Sequence, residues 1–175
     1  MSESRGLKAL NTHFPDGFAG AILCHDSWRA YFNYSDNLHQ LCCAHLLREL
    51  HYIVERYQST WAERLRSLFR EAISWKKNLS KLPGTEKQIF ITGIEEKMDC
   101  LLVTPLNPKH QEAVRLQKRL RKYRGSILTF LHYQNVPPDN NASYPGKSLL
   151  DFEDFFPVLI IKCGEQPLGR FAFFC

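Results

Sequence analysis

The stretch Ala21-Ile-Leu-Cys-His-Asp-Ser-Trp-Arg-Ala-Tyr31 decides how the rest of the chain is interpreted. Its first four residues form a short apolar run that is typical of a buried strand, and Asp26 follows close behind that run. Chemistry in α/β folds collects at the carboxyl ends of strands, because a strand holds a side chain rigidly at the surface. Asp26 is therefore a candidate catalytic acid. The alternative is that it only caps the helix-like turn that follows.

The composition is that of an ordinary globular protein with a basic character. The chain has 175 residues, enough for one domain with a core, and 44% of them are hydrophobic. Its formal net charge of +5 favours a polyanionic partner. Residues 142–175 carry three basic and four acidic side chains, so the positive excess belongs to the part of the chain before them.

The cysteines and the apolar runs indicate in which cellular compartment the protein is expected. The six cysteines include no Cys-x-x-Cys pair, which favours free thiols in a reducing cytoplasm. The first residues lack the apolar core of a signal peptide. No apolar run approaches the ~20 residues that span a bilayer, so we expect no membrane partner.

Apolar periodicity predicts a fold that is mainly α with a partial α/β part. Apolar residues recur at every third or fourth position over 38–57 and again over 61–79. A weaker helical pattern covers 86–103, and a stronger one covers 110–133. The only clear strand is near 21–24. In the last part of the chain, 159–161 is a candidate strand, but we expect the tail not to help close the fold before it.

Two acids have surroundings typical of a site. Asp26 follows the strand, and Asp139 lies in Pro137-Pro-Asp-Asn-Asn141. Carboxylates from separate segments can hold Mg²⁺, which prefers oxygen ligands and activates water or a hydroxyl group. The alternative for Asp139 is a turn, which prolines and asparagines favour. A metal hydrolase that uses Asp26, His25 and Asp139 is a further possibility.

A second group of residues suggests a zinc site. His39, Cys42, Cys43 and His45 fall within seven positions, where one helix would bring them onto neighbouring turns. Structural zinc sites usually draw their ligands from two separated pairs, and no second cluster is found. A packed helix N-terminus is the favoured interpretation.

The helical pattern of 110–133 has a basic outer face. Cations at helical spacing suit a phosphate backbone, although a solvated helix face gives the same pattern. The candidate DNA-binding residues are Arg115, Lys118, Arg119 and Lys122.

Three segments together resemble the transposases of the bacterial insertion-sequence 66 family. They are Gly20-Ala-Ile-Leu-Cys-His-Asp-Ser-Trp-Arg-Ala-Tyr31, His39-Gln-Leu-Cys-Cys-Ala-His-Leu-Leu-Arg-Glu-Leu50 and Asp139-Asn-Asn-Ala-Ser143. The upstream Arg5-Gly-Leu-Lys-Ala-Leu10 fits as well, and the resemblance covers roughly residues 4–143.

The resemblance implies a ribonuclease-H-like core with a large helical insertion. Residues 1–37 would belong to that core and end in its second acid, residues 38–143 would be the insertion and the return to the core, and residues 144–175 a divergent tail. In the family, three acids of the Asp-Asp-Glu (DDE) type hold Mg²⁺ for DNA strand cleavage and joining. Asp26 matches the second acid.

The same resemblance gives roles to further residues and partners. Cys42 and His45 match a Cys-x-x-His signature that braces the active-site helix, and Asp139, Asn140 and Asn141 match the segment before the third acid. DNA at the ends of the insertion sequence would be the partner, together with intact transposase subunits, in the bacterial cytoplasm.

The sequence also departs from the family's pattern. Position 144, where the third acid is expected, is Tyr144, and Pro145 replaces the arginine after it. The first acid is expected upstream of anything present, and the mismatch from 144 onwards is typical of a frameshift. We therefore expect a transposase remnant without catalytic activity. The alternative is a non-enzymatic module that binds DNA or pairs with a transposase.

Overall fold

The fold is seen in a computed structural model, which describes residues 20–34, 37–140 and 158–162 together with positions 12, 15 and 18. Within these residues the chain is mainly α, as predicted, with one small mixed sheet. The segment at 5–10, which fits the family resemblance, lies outside the described residues.

The sheet has three strands among the described residues, in the order β2-β1-β3. They are β1 (Ala21–His25), β2 (Leu38–Leu41) and β3 (Val158–Lys162). β1 pairs in parallel with β2 and antiparallel with β3. The strand predicted near 21–24 is confirmed, and every residue of β1 is buried because β1 is the central strand.

Five α-helices follow β2 in the described chain. They are α1 (Cys43–Tyr57), α2 (Thr60–Lys76), α3 (Gly84–Val103), α4 (Gln111–Lys122) and α5 (Thr129–His132). Single turns of 3-10 helix cover Arg29–Asn33, Leu79–Lys81 and Arg124–Ser126. The helices predicted over 61–79 and 86–103 are confirmed: they correspond to α2 and α3, with boundaries that differ by a few residues.

The prediction of one helix from 38 to 57 is wrong at its beginning. Residues Leu38–Leu41 form β2, and the helix begins at Cys43 after Cys42 in an extended conformation (φ −60°, ψ 109°). β2 pairs in parallel with β1, with Leu23 opposite His39, so the backbone bonds of this segment go to a strand and not to a helix. Leu38 and Leu41 happen to share the three-residue spacing of a helix, which is why periodicity alone failed here.

The predicted helix over 110–133 is interrupted. α4 ends at Lys122, and α5 begins only at Thr129. The segment between them lies against β2: Gln40 donates from Nε2 to the carbonyl of Ile127 (2.8 Å) and accepts at Oε1 from the backbone N–H of Phe130 (2.8 Å). This contact with the sheet replaces the continuation of the helix.

The tail contributes to the fold, contrary to expectation. All five residues of β3 pair with β1, from Val158 opposite His25 to Lys162 opposite Ala21. Ile161 is buried in the main core, and the half-buried Ile160 packs on the opposite face of the sheet. The candidate strand at 159–161 is thus confirmed, and the tail closes one edge of the sheet.

The core lies on both faces of β1. Ile22 and Cys24 face the main core, which the helices complete, whereas Ala21 and Leu23 face a smaller cluster that contains Tyr31. This alternation follows from the two-residue period of a strand. The small mixed sheet with helices after it is compatible with the expected ribonuclease-H-like core.

Candidate functional site

Asp26 lies directly after β1, at the carboxyl end of the central strand. Its side chain is half-buried, and its Oδ1 accepts a hydrogen bond from the backbone N–H of Trp28 at 3.1 Å. Ser27 between them has a positive φ of 56°, a conformation that non-glycine residues rarely adopt. Asp26 therefore closes a tight turn before the 3-10 helix. It does not cap that helix, because the bond goes to the N–H of the N-cap residue Trp28 and the helix has no side-chain cap.

The beginning of α1 lies at the same end of the sheet. The N–H of Cys42 donates to the carbonyl of His25 (2.7 Å), and the N–H of Cys43 donates to the carbonyl of Pro138 (2.8 Å). The first bond continues the parallel ladder beyond β2, and the second binds the segment at 138–140 to the helix N-terminus. Three separate segments of the chain therefore meet beside Asp26, and we call this surface the Asp26 end of the sheet.

His45 is in the first turn of α1 and is half-buried. Burial lowers its pKa, with the positive charge of Arg48 acting in the same direction, while the Asp26 carboxylate opposes the shift. Asp26 and His45 are thus within electrostatic range of each other. The Nδ1 atom of His45 is buried and has no hydrogen-bond partner among the described residues.

The segment with the second candidate acid also reaches this end. Asn140 is fully buried, and Asp139 is half-buried. Burial raises the pKa of the Cys24 and Cys43 thiols, and the Asp139 carboxylate adds to the rise for both. Asp139 therefore lies within electrostatic range of the Cys24 and Cys43 thiols. Asn141 lies outside the described residues.

The described residues do not support the zinc hypothesis. His39 is in β2 rather than on the helix, where its Nε2 lies 3.1 Å from the carbonyl oxygen of Tyr34 and its Nδ1 lies 3.0 Å from Nε2 of His25. The thiols of Cys24, Cys42 and Cys43 are buried and free. Burial raises the pKa of the Cys43 thiol, and no three possible ligands among the described residues are grouped closely enough to hold a metal ion. The favoured alternative, a packed helix N-terminus, agrees with this geometry.

His25 does not join the acids. Its side chain is fully buried, and it contacts the rings of Tyr31 and Phe32 as well as His39. Burial lowers the pKa of His25 to about 3, with His39 acting in the same direction. The ring is therefore a neutral core group, and the hydrolase hypothesis that used it loses one of its three members.

The basic face of α4 divides into two groups. Arg119 binds Glu49 of α1 at 2.6 Å, so it is a tertiary contact rather than a free cation. Arg115, Lys118 and Lys122 are exposed, and Lys122 lies 5.0 Å from the ring centroid of Tyr123. Their spacing puts all three exposed cations on one stripe of the helix.

Two exposed residues beside Asp26 were not singled out by the sequence reasoning. Trp28 is 38% exposed, and Arg29 is exposed next to it. Two features of the sequence could have indicated them. Both residues lie within three positions of the candidate acid, and both have side chains that commonly contact nucleic acid.

The described residues do not form a complete metal site. No three histidine, cysteine, aspartate or glutamate side chains among them are grouped closely enough to hold a metal ion. Asp26 offers the oxygen ligand that Mg²⁺ prefers, but a two-metal site needs several carboxylates together. The described residues do not form such a centre by themselves.

Comparison with known proteins identifies the family. The family model described as "Transposase IS66 family" matches residues 1–143, which includes Asp26, the Cys42–His45 segment and Asp139. The chain belongs to the IS66 transposase family. Neither the curated proteins nor the solved structures that were compared gave a match.

Membership in the IS66 family indicates the kind of partner and the kind of cofactor. DNA is the partner of a transposase, and transposases of the DDE type usually use divalent metal ions. The match ends at 143, so β3 belongs to a segment beyond the family model even though it pairs with the strand before Asp26. Among the described residues, no helix is both long enough and apolar enough to cross a membrane.

Proposed function

We propose that this IS66-family chain is the remnant of a transposase and does not cleave and join DNA strands by itself. The observation that carries the proposal is the single well-placed acid: Asp26 lies at a strand end, but the described residues near it supply no third metal ligand. Tyr144 stands where the resemblance expects the third acid. A two-metal reaction needs its carboxylates together in order to clamp the attacking and leaving oxygens.

Asp26 keeps its place as the second acid of a DDE-type, ribonuclease-H-like core in this proposal. It would hold Mg²⁺ only in a core in which the other acids are present. The chain is then a remnant of a transposase that works in the bacterial cytoplasm, for which its four described free thiols provide support.

The test is a Mg²⁺-dependent nicking and strand-transfer assay on the terminal repeats of the cognate element. We expect the 175-residue chain to give no product, and Asp26→Ala to behave identically. Product that the wild-type chain forms and the Asp26→Ala variant does not form would disprove the proposed inactivity.

The second candidate function is a binding module that modulates transposition. The exposed stripe of Arg115, Lys118 and Lys122 supports it, because three cations on one helix face can contact successive phosphates. Such a module would occupy DNA ends or pair with an intact transposase subunit and disturb its assembly.

Salt dependence distinguishes this module from an inert remnant. Binding through three phosphate contacts should weaken with salt at a logarithmic slope of about −3 on duplex DNA. A slope near zero would count against the module. Inhibition of an intact transposase by the wild-type chain, but not by a chain without these three cations, would favour it.

A further inference from the structure

Two ion pairs join α1 to α4 at separate points along the helices. Nη2 of Arg119 on α4 lies 2.6 Å from Oε1 of Glu49 on α1. Seven residues further along α1, Nε of Arg56 lies 3.7 Å from Oε1 of Glu112, which is seven residues earlier on α4. The two helices are therefore antiparallel, and the ion pairs fix which residues of α1 and α4 lie at the same level.

Tyr52 of α1 and Arg115 of α4 lie opposite each other between these ion pairs. Each comes three residues after one ion-paired residue of its own helix and four residues before the other. Residues at these spacings share one face of a helix, so both lie on the faces that carry the ion pairs. Tyr52 is 49% exposed, and Arg115 is exposed. A hydroxyl group and a guanidinium group therefore reach solvent where the two helices meet.

Three more cations extend this surface towards one end of the helix pair. Arg48 lies one turn before Tyr52 on α1, and Lys118 and Lys122 lie one and two turns after Arg115 on α4. Because the helices are antiparallel, these directions are the same. All three side chains are exposed. We call the residues Arg48, Tyr52, Arg115, Lys118 and Lys122 the α1–α4 surface.

The positive charge of the α1–α4 surface is not neutralised within the two helices. Their acids are Glu49 and Glu112, which the ion pairs described above occupy, and Glu55, which lies 3.9 Å from His51. None of the four cations of the surface forms an ion pair with another described residue. Four unpaired cations on one surface repel each other and attract a polyanion.

We propose that the α1–α4 surface binds the phosphate backbone of duplex DNA, and that Arg48 and Tyr52 of α1 contact phosphates beside those that α4 contacts. The inference rests on the second candidate function above, in that DNA is the ligand. Arg115 and Lys122 are roughly 10 Å apart along the axis of α4. One DNA strand carries a charge every ~3.4 Å of its axis, so the surface can follow several successive phosphates.

The two residues of α1 have different roles in this contact. Arg48 neutralises a phosphate and releases a counterion, so its contribution depends on salt. The hydroxyl group of Tyr52 donates a hydrogen bond to a phosphate oxygen without adding charge, so its contribution does not depend on salt in this way. No base edge is contacted, so binding should not depend on the DNA sequence.

Fluorescence polarisation of a short labelled duplex tests the proposal. The full chain is titrated at a series of NaCl concentrations with a chelator present, and two duplexes of unrelated sequence and one single strand are compared. The variants are Arg48→Ala and Tyr52→Phe. Their matched controls are Arg70→Ala on the exposed side of α2 and Tyr133→Phe, whose ring is 38% exposed. The urea midpoint of each variant shows that it is folded.

We expect both duplexes to bind alike and more tightly than the single strand. Arg48→Ala should reduce the magnitude of the logarithmic salt slope by about 1, as Lys118→Ala does, and Arg70→Ala should leave it unchanged. Tyr52→Phe should raise the Kd about 3- to 10-fold, the effect of one hydrogen bond, with an unchanged slope. Tyr133→Phe should bind as wild type does.

Several results would overturn the inference while DNA binding by α4 stands. They are a wild-type slope in Arg48→Ala, a wild-type Kd in Tyr52→Phe, and control variants that lose as much as the test variants. Tighter binding of the single strand than of the duplexes would overturn it as well. If the wild-type chain binds no duplex at low salt, the inference and the DNA-binding module both fail, and the proposed lack of strand cleavage is unaffected.

Discussion

His25 Nε2 lies 3.0 Å from His39 Nδ1, and both rings are buried between β1 and β2. The carbonyl of Tyr34 can only accept, so Nε2 of His39 carries the proton that it donates at 3.1 Å. Burial lowers the pKa of both rings and keeps them neutral at pH 7, so Nδ1 of His39 is an acceptor and His25 donates from Nε2. Burial and geometry together assign one tautomer to each ring.

This pair predicts that stability decreases in acid. Burial lowers the pKa of both rings below the ordinary value, to about 3 for His25, so the unfolded chain binds more protons below about pH 6.5. The stabilisation is complete above that pH and is lost as the pH falls towards 3. For His25 alone, the free energy of unfolding should fall by about 2 kcal/mol between pH 6.5 and pH 5.

Urea unfolding at a series of pH values measures this effect. The double variant His25→Leu/His39→Leu should show a shallower dependence of unfolding free energy on pH than wild type does. His51→Gln is the control, because His51 is exposed on α1 and lies outside the buried pair. Equal slopes in the wild type and the double variant would disprove the assignment of two neutral buried rings.

The second prediction concerns Gln40, which joins β2 to the segment before α5. Its amide contacts the carbonyls of Leu41 (2.7 Å) and Ile127 (2.8 Å) and the N–H of Phe130, and it is fully buried. Gln40→Leu leaves three buried backbone groups without these partners, so we expect a loss of about 3 kcal/mol in unfolding free energy. Gln88→Leu on an exposed face of α3 should change it little. Similar urea midpoints for the two variants would contradict this role.

Sequence reasoning succeeded where local patterns control the structure. Periodicity located β1, most of α1, and helices α2 and α3, because each of these buries one stripe or run of its own side chains. The apolar run before Asp26 also placed this acid directly after a strand, where the structure has it.

The errors arose from contacts between residues distant in the chain. Gln40 is 87 residues from Ile127, and nothing local in either segment indicates that they pair. The same holds for β3, whose pairing with β1 leaves no sustained period in the Phe-rich tail. Arg119 resembles any other cation on its helix until its contact with Glu49 is seen.

The third prediction tests whether the tail strand belongs to the fold. Ile161 is 6% exposed and lies opposite Ile22. Ile161→Asp puts a carboxylate into this apolar layer and should cost at least about 3 kcal/mol of unfolding free energy or detach the strand. Leu38→Asp is the matched control, because Leu38 is a strand residue with 49% exposure.

Hydrogen exchange separates the two possible consequences of Ile161→Asp. A detached strand would increase exchange at Ala21–His25 and leave the amides of α2 protected, whereas global destabilisation would increase both. If Ile161→Asp were as stable as Leu38→Asp, with β1 still protected, the tail strand would not be part of the folded core.

The fourth prediction separates structural from DNA-binding cations on α4. Arg119→Ala should lower the unfolding free energy by about 0.5 kcal/mol, because it removes a partly exposed ion pair with Glu49. Lys118→Ala should leave stability unchanged and reduce the magnitude of the logarithmic salt slope of DNA binding by about 1, and Lys122→Ala should do the same. A folded Arg119→Ala variant that reduces the slope as much as Lys118→Ala would show that this division is incorrect.

The fifth prediction concerns Gln58, which ends α1 in the left-handed conformation with φ 48° and ψ 40°. A side chain in this region costs about 1–2 kcal/mol, part of which glycine offsets by its greater freedom in the unfolded chain. Gln58→Gly should therefore raise the unfolding free energy by about 0.5–1 kcal/mol, as measured by the urea midpoint. Gln58→Ala retains the Cβ atom and should give no such gain. If alanine stabilised the chain as much as glycine, the gain would come from losing the glutamine side chain and not from the backbone conformation.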